Sequence, residues 1–381
     1  MPAPRMTAEA AKKRLDEINA MIAKHGTNTK AANALGISEA SLRKQRQVAE
    51  VALLRGGDTA PVVPTGHALK GVSSLIGPDG EIKGQWVKTV AEDSQILLDA
   101  IKATFDEYKG HAKPVPAPKH TAKDLMTVYP IGDYHLGMYA WKDETGEDWD
   151  LSIAERTLRA TMRELVASTQ HSETAIILSL GDFFHMDDSS NRTPASGHAL
   201  DVDTRRAKVL QVGVKLLIDC IELALTKHKR VIVRCLAGNH DPATTPALSI
   251  ALWAFFHANK RVEVDCSPSK FFYYQFGKVL IAATHGDRCR MTDFPGVIAA
   301  NQPDKWGSTR FRYGYLGHVH HKDVRGKEIS GVICESFQIL APADEWHHSM
   351  GYGAGRSMQA ITHHRETGEK FRHIVSIVPS R

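Results

Sequence analysis

No apolar run in the chain approaches the ~18 residues needed to span a bilayer, and the polar, alanine-rich start, MPAPRMTAEAAKK, lacks the apolar stretch of a secretory signal. A membrane is therefore not an expected partner, and the cytoplasm is the expected location. Cysteine is scarce and scattered: five in 381 residues, at 220, 235, 266, 289 and 334, with no CxxC pair. That excludes a disulfide framework and a thiolate zinc site and fits a reducing compartment. Internal repeats and long low-complexity tracts are also missing. Net charge is small, +5, and residues 1–50 hold nine Lys/Arg against five Asp/Glu, so +4 of it sits in that first segment. Electrostatic affinity for nucleic acid is thus concentrated at the N-terminus.

What the chain does have is a 42% hydrophobic composition, ample for a sizeable core, and 20 histidines. The first segment, residues 1–50, reads as helices. Ala11, Leu15, Ile18 and Ile22 recur at helical spacing behind a capping Thr7, with Gly26 as the stop. TKAANALG follows, then a break at Gly36-Ile37, then SEASLRKQRQV with Ser38 placed to cap a second short helix. The pattern resembles a helix-turn-helix, with Ala32 at the crossing and Ile37 and Leu42 inward. Ser41, Arg43, Lys44 and Arg46 would then lie on or beside the outer face, available to base edges and phosphates. The other reading of this segment is an arm that packs on protein.

Residues 51–123 read as a connecting region. SSLIGPDGEIKGQWVKT predicts a β-hairpin around a Pro-Asp-Gly turn, EDSQILLDAIKATFDEYKG predicts a helix, and HAKPVPAPKHTAKD predicts an extended, proline-rich linker. Beyond it, over 124–381, strands alternate with helices: TVYPIG and a helix from about Leu151, AIILSL and a helix from about Asp203, RVIVRCLA and a helix from about Pro246. Such alternation predicts an α/β domain.

Five apolar segments run into the same kind of residue. TVYPIG ends at Asp133-Tyr-His135, AIILSL at Gly181-Asp182, VIVRCLA at Gly238-Asn239-His240-Asp241, KVLIAAT at His285-Gly-Asp287, and FRYGYL at Gly317-His318-Val-His320. In open α/β sheets the ligand site lies beyond the carboxyl ends of the strands, so these tips can converge. Their donors are carboxylates, imidazoles and an amide with no thiolate, a set suited to Mn²⁺, Fe or Zn²⁺, and one carboxylate can bridge two ions. Two adjacent metals activate water and stabilise both in-line oxygens at phosphorus, which points to phosphoester hydrolysis.

The series DYH, GD, GNHD, HGD and GHVH, in that order across residues 124–340, resembles the calcineurin-like metallophosphoesterase superfamily. The resemblance implies a four-layer sandwich of two mixed β-sheets flanked by helices, preceded here by a small helical domain. It implies two divalent metal ions, Mn²⁺ first, with Fe, Zn or Mg as alternatives. Asp133, His135, Asp182 and His320 would hold one ion, and Asp182, Asn239, His285 and His318 the other, with Asp182 bridging. His240 would face the scissile phosphate, and Asp241 would orient a histidine from behind.

Phosphoprotein phosphatases carry GDxVDRG and GNHE, whereas this chain reads GDFFHMDD and GNHDP. The GDFFH version resembles SbcD-type DNA repair nucleases, which makes His185 a further active-site candidate. The long N-terminal extension departs from that branch and looks more like phage-encoded metallophosphoesterases, placing the chain in a bacterial cell or its infected host. The expected activity is a dinuclear-metal phosphodiesterase cutting DNA through a metal-activated water. Phosphomonoester or phosphoprotein hydrolysis on the same site is the alternative, as is a nucleic-acid-binding assembly protein with an inactive phosphoesterase domain. Nucleic acid, DNA first, is the expected partner, and a homo-oligomer is left open. Two further stretches are candidate substrate contacts: the loop NRTPASGHALDVDTRR with Arg192, Arg205 and Arg206, and DEWHHSMGYGAGRS with Trp346, His347 and Arg356.

Overall fold

The computed structural model describes residues 8–54, 67–76, 82–91, 112–319, 327–351 and 355–378, and the chain divides into two units, Met1–Leu97 and Leu98–Arg381. Among the described residues the first unit has three helices, α1 (Ala8–His25), α2 (Asn28–Ala34) and α3 (Glu39–Leu54), then the strands β1 (His67–Ile76) and β2 (Ile82–Ala91). Thr27 caps α2 by accepting from the Lys30 amide, and Ser38 does the same for Ser41 at the start of α3. Ile18, Ala31, Ala32 and Leu42 are buried together with Ile37 packed against them. The small Ala31 and Ala32 let the helices approach closely. The second helix predicted as short runs through 16 residues. The hairpin reading is met by antiparallel pairing of β1 with β2, Ser73 opposite Trp86. The predicted turn over 77–81 and helix over 92–110 lie outside the described residues.

In the second unit the order is β3 (Ala122–Ile131), α4 (Lys142–Thr145), α5 (Leu151–Ser168), β4 (Ser172–Ser179), α6 (Arg206–Leu225), β5 (Arg230–Cys235), α7 (Thr244–Phe256) and β6 (Val262–Asp265). There follow β7 (Phe271–Phe276), β8 (Val279–Thr284), α8 (Phe294–Asn301), α9 (Pro303–Ser308), β9 (Phe311–Leu316), β10 (Lys327–Ile329), β11 (Val332–Ser336), α10 (Glu345–Ser349), β12 (Arg356–His364) and β13 (Gly368–Ile377). The helix predicted from Leu151 begins there, capped by Asp150 on the Ile153 amide. Those predicted from Asp203 and Pro246 begin at Arg206 and Thr244.

Six strands form one sheet in the order β13-β12-β3-β4-β5-β6, and five form another, β10-β11-β9-β8-β7. Both are mixed: β3 to β6 are parallel with β12 antiparallel to β3, and β8, β9 and β11 are parallel with β7 antiparallel to β8. Strand alternation builds the layers. On β4, Ile176 and Leu178 face Ile281 and Ala283 of β8 and Tyr313 and Tyr315 of β9 in the core between the sheets. Ala175 and Ile177 point the other way, onto Leu158 and Met162 of α5 and Leu216 and Leu217 of α6. On β8, Leu280 and Ala282 meet Phe294 and Ile298 of α8. The result is helix, sheet, sheet, helix, the four-layer sandwich expected from the motifs.

The proline-rich stretch is anchored near its start. Ala112 donates to the Phe255 carbonyl, Arg261 donates to Val115, and both Ala112 and Val115 pack against the helical core. Residues 112 and 115, N-terminal to the expected boundary at 123, thus pack with this unit.

Candidate metal centre

The carboxyl ends of β3, β4, β5, β8 and β9 carry the five motifs, and the loops that leave them are wired to one another. His135 donates its amide to the Asp182 carbonyl, His240 donates to Asp182 Oδ1 at 2.7 Å, and His318 donates to Asp133 Oδ2 at 2.6 Å. Each carboxylate thus has one oxygen engaged by a neighbouring loop. Three of these residues sit in left-handed backbone, His135 at φ 47°, Asp182 at 48° and His318 at 70°. Such conformations cost of order 1–3 kcal/mol each for non-glycine residues and persist where the surroundings over-determine them. They aim the side chains sharply off the strand ends. A Cβ at Gly238 would strike Asp182, and one at Gly317 would strike Asp133, so these two positions must be glycine for the loops to close.

The side chains form two groups that share a member. Asp133, His135 and Asp182 bring one donor atom each within 4.8 Å of one another, and so do Asp182, His285 and His318. Asn239 joins the second group, its Oδ1 lying 2.9 Å from His285 Nε2, which is also 3.2 Å from Asp182 Oδ2. His285 Nδ1 faces the Leu180 carbonyl at 2.9 Å, which can only accept, so Nδ1 carries the proton and Nε2 is the bare nitrogen of the neutral ring. Three lone-pair donors, Nε2, Oδ1 and Oδ2, then point at one another. A cation, or a proton on His285, must lie among them.

The electrostatics agree. Burial opposes a charged His285, yet the carboxylates of Asp133 and Asp182 raise its pKa above the ordinary imidazole value. Burial likewise opposes ionised Asp182, but His285 beside it lowers its pKa. Buried anions of this kind need positive charge, and the oxygen and nitrogen donors fit divalent ions of the Mn²⁺, Fe or Zn²⁺ type.

Of the ligands implied by the resemblance, six come together here: Asp133, His135, Asp182, Asn239, His285 and His318. His320 lies outside the described residues. His240 is beside the group, its ring 4.7 Å from that of His135, and its Nδ1 donates to the His185 carbonyl at 2.9 Å. His185 is buried next to both, its Nδ1 3.3 Å from that of His135. Asp241 differs from the expectation that it orients a histidine. Its carboxylate accepts from the Gly238 and Phe184 amides and the Thr245 hydroxyl, so it holds backbone. Burial, and then the Asp182 charge, raise its pKa.

Three of the other candidates make contacts within the protein. Arg192 donates to the Gly197 carbonyl and Arg206 to Thr244 Oγ1. Arg356 donates to Leu340 and Glu147 and lies over the Trp149 ring. The side chains of Trp346 and His347 lie outside the described set. In the first unit, Ser41 and Arg46 are half-buried and Lys44 is exposed, while exposed Arg43 pairs with Glu39 one turn away. Asp187, not among the candidates above, accepts from the Ala243 and Thr244 amides and so ties the loop after β4 to the first turn of α7. Its signal was the acidic pair at the end of GDFFHMDD. The Leu180 carbonyl that orients His285 left none.

No protein-family model and no curated protein matches the chain. Among solved structures it is similar to a conserved protein of Streptococcus pneumoniae described as a predicted phosphoesterase, at 10% identity over 67% of this chain and 100% of that one, with a TM-score of 0.27. A Vps29 single mutant from Entamoeba histolytica gives 10% identity, 66% and 100% coverage and a TM-score of 0.26. The 5'-nucleotidase precursor of Thermus thermophilus gives 11% identity over 67% of this chain and 54% of that one, with a TM-score of 0.29. Among the described residues no helix is long and apolar enough to cross a membrane.

Proposed function

We propose that this chain is a dinuclear-metal phosphodiesterase that hydrolyses nucleic acid, DNA first, with Mn²⁺ as its preferred ion. The observation that carries the reading is the position of Asp182 in both donor groups, one with Asp133 and His135 and the other with His285 and His318. A carboxylate shared in this way suits a pair of ions. Bound there, such ions would supply Lewis acidity toward phosphoryl oxygens and make water nucleophilic near neutral pH.

The chain's own residues supply the rest. Asp182 is kept ionised by His285 and held in place by the His240 amide. His240 gives its Nδ1 proton to the His185 carbonyl, so Nε2 is the nitrogen left to exchange a proton with the departing oxygen. Asp241 fixes the GNHD loop to the GD loop, setting the distance between His240 and Asp182. The SbcD-like choice of substrate is supported by the GDFFH motif and by the buried contact of His185 with His135. The exposed basic residues Arg43 and Lys44 of α3 support nucleic-acid contact by the first unit.

The test is purified protein with Mn²⁺, and again with chelator, on linear and circular DNA, RNA, a phosphodiester dye and a phosphomonoester dye. Mn²⁺-dependent cleavage of DNA and the diester is expected. Cleavage of the monoester alone would sink the nuclease reading.

A further inference from the structure

We propose that His135, His185 and His240 form a second kind of cation site, all nitrogen, that takes Zn²⁺ or another late divalent transition ion and silences the neighbouring centre when filled. The three rings offer one nitrogen each within 4.8 Å of one another. Their centroids lie 4.7, 5.2 and 5.4 Å apart, with His135 and His185 buried and His240 half-exposed at the mouth. His240 is held from behind, fixed through Nδ1 to the His185 carbonyl, which leaves Nε2 with its lone pair, and the Nδ1 atoms of His185 and His135 lie 3.3 Å apart.

The chemistry of this set differs from that of the two groups around Asp182. Those contain carboxylates and accept Mn²⁺ and Fe as readily as Zn²⁺, whereas three imidazoles and no carboxylate favour ions late in the Irving–Williams order. Three protein nitrogens with one open position is also a recurrent zinc arrangement. His135 belongs to both the all-nitrogen set and the Asp133 group. Zn²⁺ held by the three imidazoles therefore draws on a ring the carboxylate centre uses and occupies His240. Loss of a general acid of this kind costs of order 100-fold in rate. The effect on turnover rests on the phosphodiesterase reading; the site itself does not.

The experiment measures Zn²⁺ binding to full-length protein in excess Mn²⁺, by competition with a chromophoric chelator, for wild type, Asp182→Asn and His185→Gln. One tight Zn²⁺ per chain is expected in wild type and in Asp182→Asn, weakened more than about tenfold in His185→Gln. Zn²⁺ binding lost in Asp182→Asn and kept in His185→Gln would place the ion in the carboxylate centre and overturn the proposal. If either variant fails to fold, anomalous diffraction at the zinc edge from wild-type crystals decides: a peak among the three imidazoles supports the site, and a peak elsewhere overturns it. A chain that binds Zn²⁺ in this way yet never turns over a phosphodiester would contradict the phosphodiesterase reading alone.

Discussion

Replacing Asp241 tests whether the centre is held by buried backbone donors. Its two oxygens take two backbone amides and one hydroxyl: Gly238 N on Oδ1 at 2.9 Å, and Phe184 N at 3.1 Å and Thr245 Oγ1 at 2.6 Å on Oδ2. Asp241→Ala leaves all three donors unmet in a fully buried place. Each orphaned donor costs about 1–3 kcal/mol, so a loss of about 3–9 kcal/mol is expected, a large part of the roughly 5–15 kcal/mol a domain has. Asp241→Asn should cost less, about 1–3 kcal/mol. Its remaining oxygen can keep the Phe184 and Thr245 bonds, its NH2 confronts only Gly238 N, and a like charge next to Asp182 disappears. Turnover should fall in both, because Gly238 abuts Asp182 and a misplacement of about 1 Å can cost 100-fold. Urea unfolding at pH 7 and turnover of the diester dye read the two effects. An alanine variant with wild-type midpoint and wild-type turnover would refute the account of Asp241.

His240→Ala should retain both Mn²⁺ ions by elemental analysis and lose about 100-fold or more in turnover; collapse of metal binding instead would make His240 a ligand. Acid should destabilise the fold through His228, whose burial lowers its pKa to about 4 although Ser172 opposes the shift, and His363, lowered to about 3 by burial and Arg372. The folded state binds these protons more weakly than the unfolded chain, so the stabilisation is full above about pH 6.5 and is lost as pH falls toward 4. At pH 5 the loss from His228 alone is about 2 kcal/mol, and His228→Gln should flatten the urea midpoint between pH 7 and pH 5 by that amount. Arg43→Ala with Lys44→Ala should weaken DNA binding and reduce the slope of log affinity against log salt by up to about 2; an unchanged slope would remove α3 from the nucleic-acid surface.

Much of the centre is legible in the sequence because its residues follow strand ends directly. Asp133, Asp182, Asn239, His285 and His318 each come one to four residues past a strand, and parallel neighbours bring such positions together. Local chemistry also shows the first turns, as with Asp150 before α5 and Ser38 before α3. The wiring is less legible because it joins distant segments: Asp187 to α7, Asp241 to the loop after β4, His285 to the Leu180 carbonyl. The C-terminal strands were hidden for the same reason. β12 enters antiparallel beside β3 and β13 pairs with β12, and the candidate substrate wall DEWHHSMGYGAGRS runs into the first of these strands at Arg356. Arg356 there packs on Trp149 and bonds Glu147, a structural role that nothing near it in sequence announces.

The central claim is that Asp182 joins two ions in one hydrolytic centre, and metal content tests it most directly. Protein stripped with chelator, reloaded with Mn²⁺ and freed of excess should hold two ions per chain in wild type, and Asp182→Ala should hold fewer and lose Mn²⁺-dependent cleavage of the phosphodiester dye. Two ions and unchanged cleavage in Asp182→Ala, or a wild-type chain that takes up none, would contradict it.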